Sequence, residues 1–139
     1  MAREPSEEGR IVVRALSVRQ PYAELIMRGD KTIEYRSRPT KISGRVYVYA
    51  AKKLGKVEDF ERVGLQPGEL PTGVLVGTVE VVGCTGEQGA YEWHLANPER
   101  LPELLKPKEH PQPAWFYPFS EQEESNLLYE VSARVGDRS

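Results

Sequence analysis

Three ionisable residues of different kinds, Lys31, Glu34 and Arg36, stand within six positions of one another in the segment GDKTIEYR. Such a set has three chemical uses. The Arg36 guanidinium can take a phosphate through paired N–H donors, the two cations can hold the Glu34 carboxylate in place, or the crowding of charge can lower the Lys31 pKa toward acid–base work. Glu34 can also accept from the exocyclic amine of a base. An exposed ladder of ion pairs fits the same spacing. Strand alternation complicates the grouping, because it sets Thr32, Glu34 and Arg36 on one face and Ile33 and Tyr35 on the other, with Lys31 on that second side. Lys31 joins Glu34 and Arg36 only if the chain bends after Gly29.

Glu80 is the lone charge inside VLVGTVEVV. Burying an unpaired carboxylate costs several kcal/mol, so it requires a cation, a donor or water, and Lys31 and Arg36 are the first candidates; the alternative is that Glu80 points outward at an edge. Tyr22, Tyr35, Tyr47, Tyr49 and Trp93 offer flat faces on which bases stack, although a small barrel uses most of its aromatics as core, leaving one or two for a cleft. His94 is either a proton donor or a packed side chain, and Cys84 reads as a small buried hydrophobe. One cysteine and two histidines supply neither a disulfide nor a structural zinc set. With no phosphate-binding glycine loop, dinucleotide fingerprint or nucleophile elbow in the chain, no metal and no cofactor is expected.

A net charge of −2 over 139 residues conceals an uneven distribution. Between positions 28 and 56, nine basic residues (Arg28, Lys31, Arg36, Arg38, Lys41, Arg45, Lys52, Lys53 and Lys56) meet only Asp30 and Glu34. That segment suits a phosphate backbone, or a surface balanced by the acidic remainder of the chain. No apolar run approaches the ~20 residues that span a bilayer, and the opening MAREPSEEGR lacks the apolar stretch of a signal peptide. A cytoplasmic protein without a membrane partner is expected.

The elements that must position these residues follow from pattern. The length suits one domain over residues 11–135, with a loose tail at 1–10 and a short one at 136–139. IVVRALSV is β-branched and apolar, as a strand is. Pro21 suits the first position of a helix and leaves Gln20 to cap it; Tyr22, Leu25 and Ile26 form the buried face, and Gly29 ends the helix after Arg28 in a left-handed conformation. RVYVYAA reads as a strand with Tyr47 and Tyr49 opposite Val46 and Val48, and a short helix follows from Val57 to about Val63. GVLVGTVEVVGC, apolar on both faces, belongs deep in the sheet. AYEWHLAN alternates as a strand, NPERL takes the chain into an irregular crossing, and WFYPF and NLLYEVSARV close the domain, the latter with Leu127, Tyr129 and Val131 inward. The result is an α+β domain, a small mixed β-barrel with two or three flanking helices.

Taken together, ALSVRQPYAELIMRGDKTIEYRSRPTKISGRVYVYAAKK resembles the N-terminal half of an ASCH domain, the module named for its homology to activating signal cointegrator proteins. The residues that carry the likeness are Leu16-Ser17, Gln20-Pro21-Tyr22, the pattern Gly29-x-Lys31-x-x-Glu34-x-Arg36, and Gly44-Arg45. GVLVGTVEVVGC and YEWHLANPERL are similar to the family's later strands. The resemblance implies a PUA-like barrel with a cleft beside it lined by the Gly-x-Lys-x-x-Glu-x-Arg residues. Family members are viewed mainly as RNA- or nucleic-acid-binding modules. Some resemble amidohydrolases that deacylate N4-acetylcytidine with a Lys and a Thr of this motif and a downstream Glu, and others are reported as ribonucleases. Lys31 matches that lysine, whereas Glu34 occupies the threonine position and cannot act as a hydroxyl nucleophile.

Two main expectations result. In the binding reading, Gln20, Tyr22, Lys31, Glu34, Arg36, Arg38, Arg45, Lys52 and Lys53 contact RNA, another nucleic acid or a modified nucleoside. In the enzymatic reading, an amidohydrolase or ribonuclease, Lys31, Glu34 and Glu80 are catalytic. A protein-interaction module of the transcription-coactivator type is the third reading.

Overall fold

The computed structural model describes residues 12–120. The expected strand with Leu127, Tyr129 and Val131 and both expected tails lie outside the described residues. Within them the chain runs β1 (Ala15–Arg19), α1 (Tyr22–Arg28), β2 (Ile33–Arg36), β3 (Gly44–Ala51), α2 (Val57–Arg62), a 3-10 turn at Pro67–Glu69, β4 (Val74–Glu87), β5 (Ala90–Leu105) and β6 (Trp115–Phe116). The six strands form one mixed sheet in the order β2-β5-β4-β3-β1-β6, with β1 and β3 parallel and the other pairs antiparallel.

Side chains link strands that the hydrogen-bond ladder holds far apart. Arg36 on β2 donates from Nη2 to the Ser17 carbonyl on β1 at 2.9 Å, and Trp93 on β5 stacks on Trp115 on β6 with ring centroids 5.5 Å apart and planes 10° from parallel. Since β2 and β5 lie at one end of the strand order and β1 and β6 at the other, these contacts require the sheet to curl into a half-barrel. The curl encloses a core of Leu16, Val18, Val46, Val48, Val79, Val81, Trp93 and Leu95 with Ala23, Ile26 and Met27 of α1. Tyr47, Tyr49, Leu75, Phe116 and Phe119 pack on the opposite face. β3 therefore buries both of its faces, divided between tyrosines and valines as its alternation predicts.

The α1 face is rotated from the expected one. Ala23, Ile26 and Met27 are buried, an i, i+3, i+4 stripe, whereas Tyr22 and Leu25 are half-buried. Met27 approaches β4 so closely that a Cβ at Gly77 would stand 2.2 Å from Met27 Sδ and 2.5 Å from the Glu99 carbonyl oxygen. Glycine in this strand interior makes room for the helix.

The expected irregular crossing at NPERL is instead part of β5. Proline lacks the N–H a ladder needs, but both prolines sit at breaks of register, where no pairing is required. Thr78 pairs with Glu99 and Glu80 with Ala96, so Asn97 and Pro98 together oppose Val79, with Asn97 at φ 51°. Pro102 falls in the larger break between Arg100 and Leu105.

Charge also pins α1 to the sheet. Arg100 on β5 donates to both Glu24 oxygens, at 3.0 and 2.8 Å, and Arg28 donates to the second at 2.8 Å. The Arg100 hydrogen bonds, helped by Arg28 and opposed by partial burial, hold the Glu24 carboxyl below the usual carboxylate range. A depressed carboxylate stabilises the fold above its unfolded value of about 4.3, and that contribution is lost as pH falls through the lower folded value. Glu24→Gln should therefore be less stable than the parent at pH 7, with the difference closing in denaturant titrations as pH falls below the unfolded value and through the lower folded one. Gly77→Ala should cost roughly 1 to 3 kcal/mol, because the Glu99 carbonyl is backbone and cannot swing aside; a thermal melt reads the loss.

Candidate functional site

An open cleft of about 540 Å³ lies beside the curled sheet, lined by Ser17, Arg19, Tyr22, Lys31, Glu34, Tyr35, Arg36, Ala51, Lys53 and Pro113. Lys31, Glu34 and Arg36 converge in it. The turn after α1 solves the alternation problem: Gly29 adopts φ 81°, and the N–H groups of Asp30 and Lys31 both donate to the Leu25 carbonyl, at 3.0 and 3.1 Å. This tight reversal caps the helix and delays β2 until Ile33, so Lys31 stands outside the strand and reaches back across it. Its Nζ lies 3.4 Å from Glu34 Oε1 and donates to the Ile33 carbonyl at 2.6 Å.

Glu34 is only 8% exposed. Its Oε2 accepts from Arg36 Nε at 2.8 Å and from Arg36 Nη2. Arg36 lies over the Trp93 ring, 5.3 Å from its centroid, and Trp93 is itself fixed by donating from Nε1 to the Arg38 carbonyl at 2.9 Å. The guanidinium is thus held on four sides, by a carboxylate, a carbonyl, an aromatic face and its own strand. Lys31 lies between two more rings, 5.2 Å from the Tyr35 centroid and 5.8 Å from that of Tyr22. Tyr22 donates its hydroxyl to Asp59 at the start of α2; burial first and then this bond push its pKa up, so it remains a neutral donor. Tyr35, 67% exposed, forms the open wall.

The remaining expected residues are distributed differently. Glu80 finds its cation in Arg45 rather than in Lys31 or Arg36: Arg45 Nη2 donates to Glu80 Oε1 at 3.1 Å, Nη1 to Thr78 Oγ1 at 2.9 Å, and Glu99 lies 3.4 Å away. The cause is register, since Arg45 and Glu80 are directly paired across β3 and β4. Glu80 does not line the cleft, and Arg45, its side chain 2% exposed, faces no solvent. Gln20 is also buried, at 1%. Its Oε1 accepts from the Glu24 N–H at 2.9 Å and its Nε2 donates to the Pro71 carbonyl at 3.0 Å, so it caps α1, from one residue further out than expected, and anchors the loop before β4. Arg38 and Lys52 are exposed but outside the cleft lining. His94 bonds Thr85 at 2.7 Å, away from the cleft. Among the described residues no group of histidine, cysteine and carboxylate side chains is placed to hold a metal, and no helix is long and apolar enough to cross a membrane.

Ser17, Arg19, Ala51 and Pro113 were not among the expected site residues, although Ser17 belongs to the Leu16-Ser17 pair of the family likeness. Register brings three of them together, because Ser17 pairs with Tyr49 and Arg19 with Ala51 on adjacent parallel strands, while the Ser17 N–H donates to the Ala114 carbonyl beside Pro113 at 2.8 Å.

A mixed six-stranded half-barrel with a lateral cleft built on a helix–turn–strand segment defines a small α+β domain of the PUA-like class. The chain belongs to the ASCH domain family, whose model matches residues 16–133. It is 30% identical over 84 residues to human activating signal cointegrator 1 and 29% identical over 84 residues to the mouse protein. Each match covers 52% of this chain and 14% of the relative, so the likeness concerns a small part of those longer proteins. The fold resembles the crystal structure of ASCH from Zymomonas mobilis, with a TM-score of 0.58 at 14% identity over 85% of this chain and 94% of that one. A variant of the same bacterial protein matches with the same TM-score at 13% identity.

Glu34→Ala would leave Arg36 and Lys31 facing each other without their shared counterion. We expect it to destabilise the protein by roughly 3 to 5 kcal/mol, the usual result of removing one partner from a buried pair. Glu34→Gln, which keeps an acceptor for Arg36, should lose less; thermal denaturation of the two variants side by side checks the order.

Proposed function

We propose that the chain is an RNA-binding module whose cleft receives a base or nucleoside. The observation that carries this reading is the clamped Arg36–Glu34–Lys31 set facing an open cleft beside the exposed ring of Tyr35. A flat aromatic face accepts any base by stacking, and fixed donors beside it select among base edges at little entropic cost, because packing has already ordered them. Arg38, Lys41, Lys52, Lys53 and Lys56 are all exposed on the loops that follow β2 and β3. They supply the sequence-independent attraction for a phosphate backbone. RNA binding is also what the family resemblance implies.

The hydrolytic reading draws less support. It calls for a hydroxyl where Glu34 stands and for a second carboxylate in the same cleft. Glu34 already carries two cations and Glu80 is bound by Arg45.

Single-stranded RNA should bind with an affinity whose logarithm falls linearly with the logarithm of salt, by about 0.7 per phosphate neutralised. Lys53→Glu should weaken binding and flatten that slope by about one such increment, and Arg36→Glu should weaken it further through the cleft itself. Fluorescence anisotropy between 50 and 300 mM salt measures both. Absent binding, or binding indifferent to salt, would sink the reading.

A further inference from the structure

The cleft has one carboxylate and four cations among its lining residues. Arg36 and Lys31 share the carboxylate. Among the described residues Arg19 and Lys53 have no acidic partner within ion-pair distance, and both are exposed. Their juxtaposition is built in by the backbone. Arg19 is the last residue of β1 and pairs with Ala51, the last residue of β3, so Lys53 follows two residues beyond that pair on the same rim.

Donor capacity is also left over inside. Arg36 commits Nε and Nη2 to Glu34 and the Ser17 carbonyl, and among the described residues its Nη1 keeps its N–H groups. Lys31 uses one donor on the Ile33 carbonyl and directs another toward Glu34, which leaves a third. A neutral base or nucleoside answers the Tyr35 face and these inner donors, but offers nothing to Arg19 and Lys53. The half-enclosed surplus of positive charge calls for an anion. A phosphate monoester carries about −1.5 to −2 charges near pH 7 and three acceptor oxygens, and it matches the arginine fork better than a carboxylate of one charge. A volume of 540 Å³ suits one small ligand.

We propose that the cleft is a mononucleotide site, with the base on Tyr35 and a phosphate monoester held by Arg19 and Lys53. This rests on the nucleic-acid reading above and narrows its ligand from a nucleoside to a nucleoside monophosphate, either free or as the phosphorylated end of an RNA. Arg19 becomes a binding residue outside the family motif and outside the basic segment.

Isothermal titration of the full chain tests it with three probes: the four nucleoside 5′-monophosphates, the matching nucleosides, and a five-nucleotide RNA with and without a terminal phosphate. At least one monophosphate should bind tenfold or more tightly than its nucleoside. Arg19→Ala and Lys53→Ala, both changes at exposed positions, should each reduce that preference about fivefold or more, because monophosphate affinity falls further than nucleoside affinity; Tyr35→Ala should weaken both ligand types. Preference for the phosphorylated RNA would assign the site to RNA ends, and indifference to it alongside a monophosphate preference would assign it to free nucleotides. Equal affinity for monophosphate and nucleoside would overturn the proposal, as would a preference that survives both alanine substitutions. If RNA binds with the expected salt dependence but monophosphates hold no advantage, only this subsite fails. If monophosphates bind and RNA does not, the RNA reading fails and the subsite stands. Silence of all three probes removes both.

Discussion

A carboxylate of which 8% is exposed must be compensated, and in this chain the compensation of Glu34 organises the rest. Arg36 supplies two hydrogen bonds to one oxygen and Lys31 the charge beside the other. For Lys31 to arrive there, the helix before it has to end abruptly, which the left-handed Gly29 allows. For Arg36 to remain there, its other face has to be covered, which Trp93 does. The same guanidinium then reaches the Ser17 carbonyl on a strand four places away in the sheet order. One ion-pair set therefore shapes the cleft and helps draw the sheet into its curl.

This double duty explains how the basic segment divides. Of its nine cations, Arg28, Lys31, Arg36 and Arg45 are engaged by Glu24, Glu34 and Glu80, so those charges are structural before they are anything else. The five others are exposed. A count of charge along the chain treats both groups alike, although a buried, paired arginine such as Arg45 presents no field worth naming to a polyanion, and an exposed lysine such as Lys53 does.

Local pattern made much of the fold and part of the cleft legible. The Gly29 turn, the two faces of β3, the depth of β4 and the shared face of Glu34 and Arg36 are all short-range properties, readable from alternation and spacing, and Lys31 joins that pair through the bend after Gly29 on which its grouping was conditional. What escaped is set by register between distant segments. Nothing in VLVGTVEVV indicates that Glu80 will face Arg45, 35 residues away, and nothing local to NPERL shows that its proline will coincide with a bulge in β4–β5 pairing. Arg19 was missed for the same reason. It lies outside the charge-rich stretch and acquires significance only because β1 and β3 run parallel and end together at the cleft.

Rigidity follows unevenly from this arrangement, and the unevenness bears on function. The floor of the cleft is over-determined: Trp93 is stacked by Trp115, bonded to the Arg38 carbonyl at its edge and covered by Arg36, so packing on several sides restrains the Arg36 donors. The rim is a different material. Tyr35, Arg19 and Lys53 are exposed side chains, two of them long and rotamer-rich, and ordering each on a ligand costs about 0.5 to 1.5 kcal/mol. A fixed floor discriminates by refusing groups that leave its donors unmatched, since an unmade buried hydrogen bond is expensive. A flexible charged rim accelerates encounter and tolerates variation. Under the proposed nucleic-acid reading, selectivity would thus fall to the Arg36–Glu34–Lys31 floor, and the strength and salt dependence of capture to the rim.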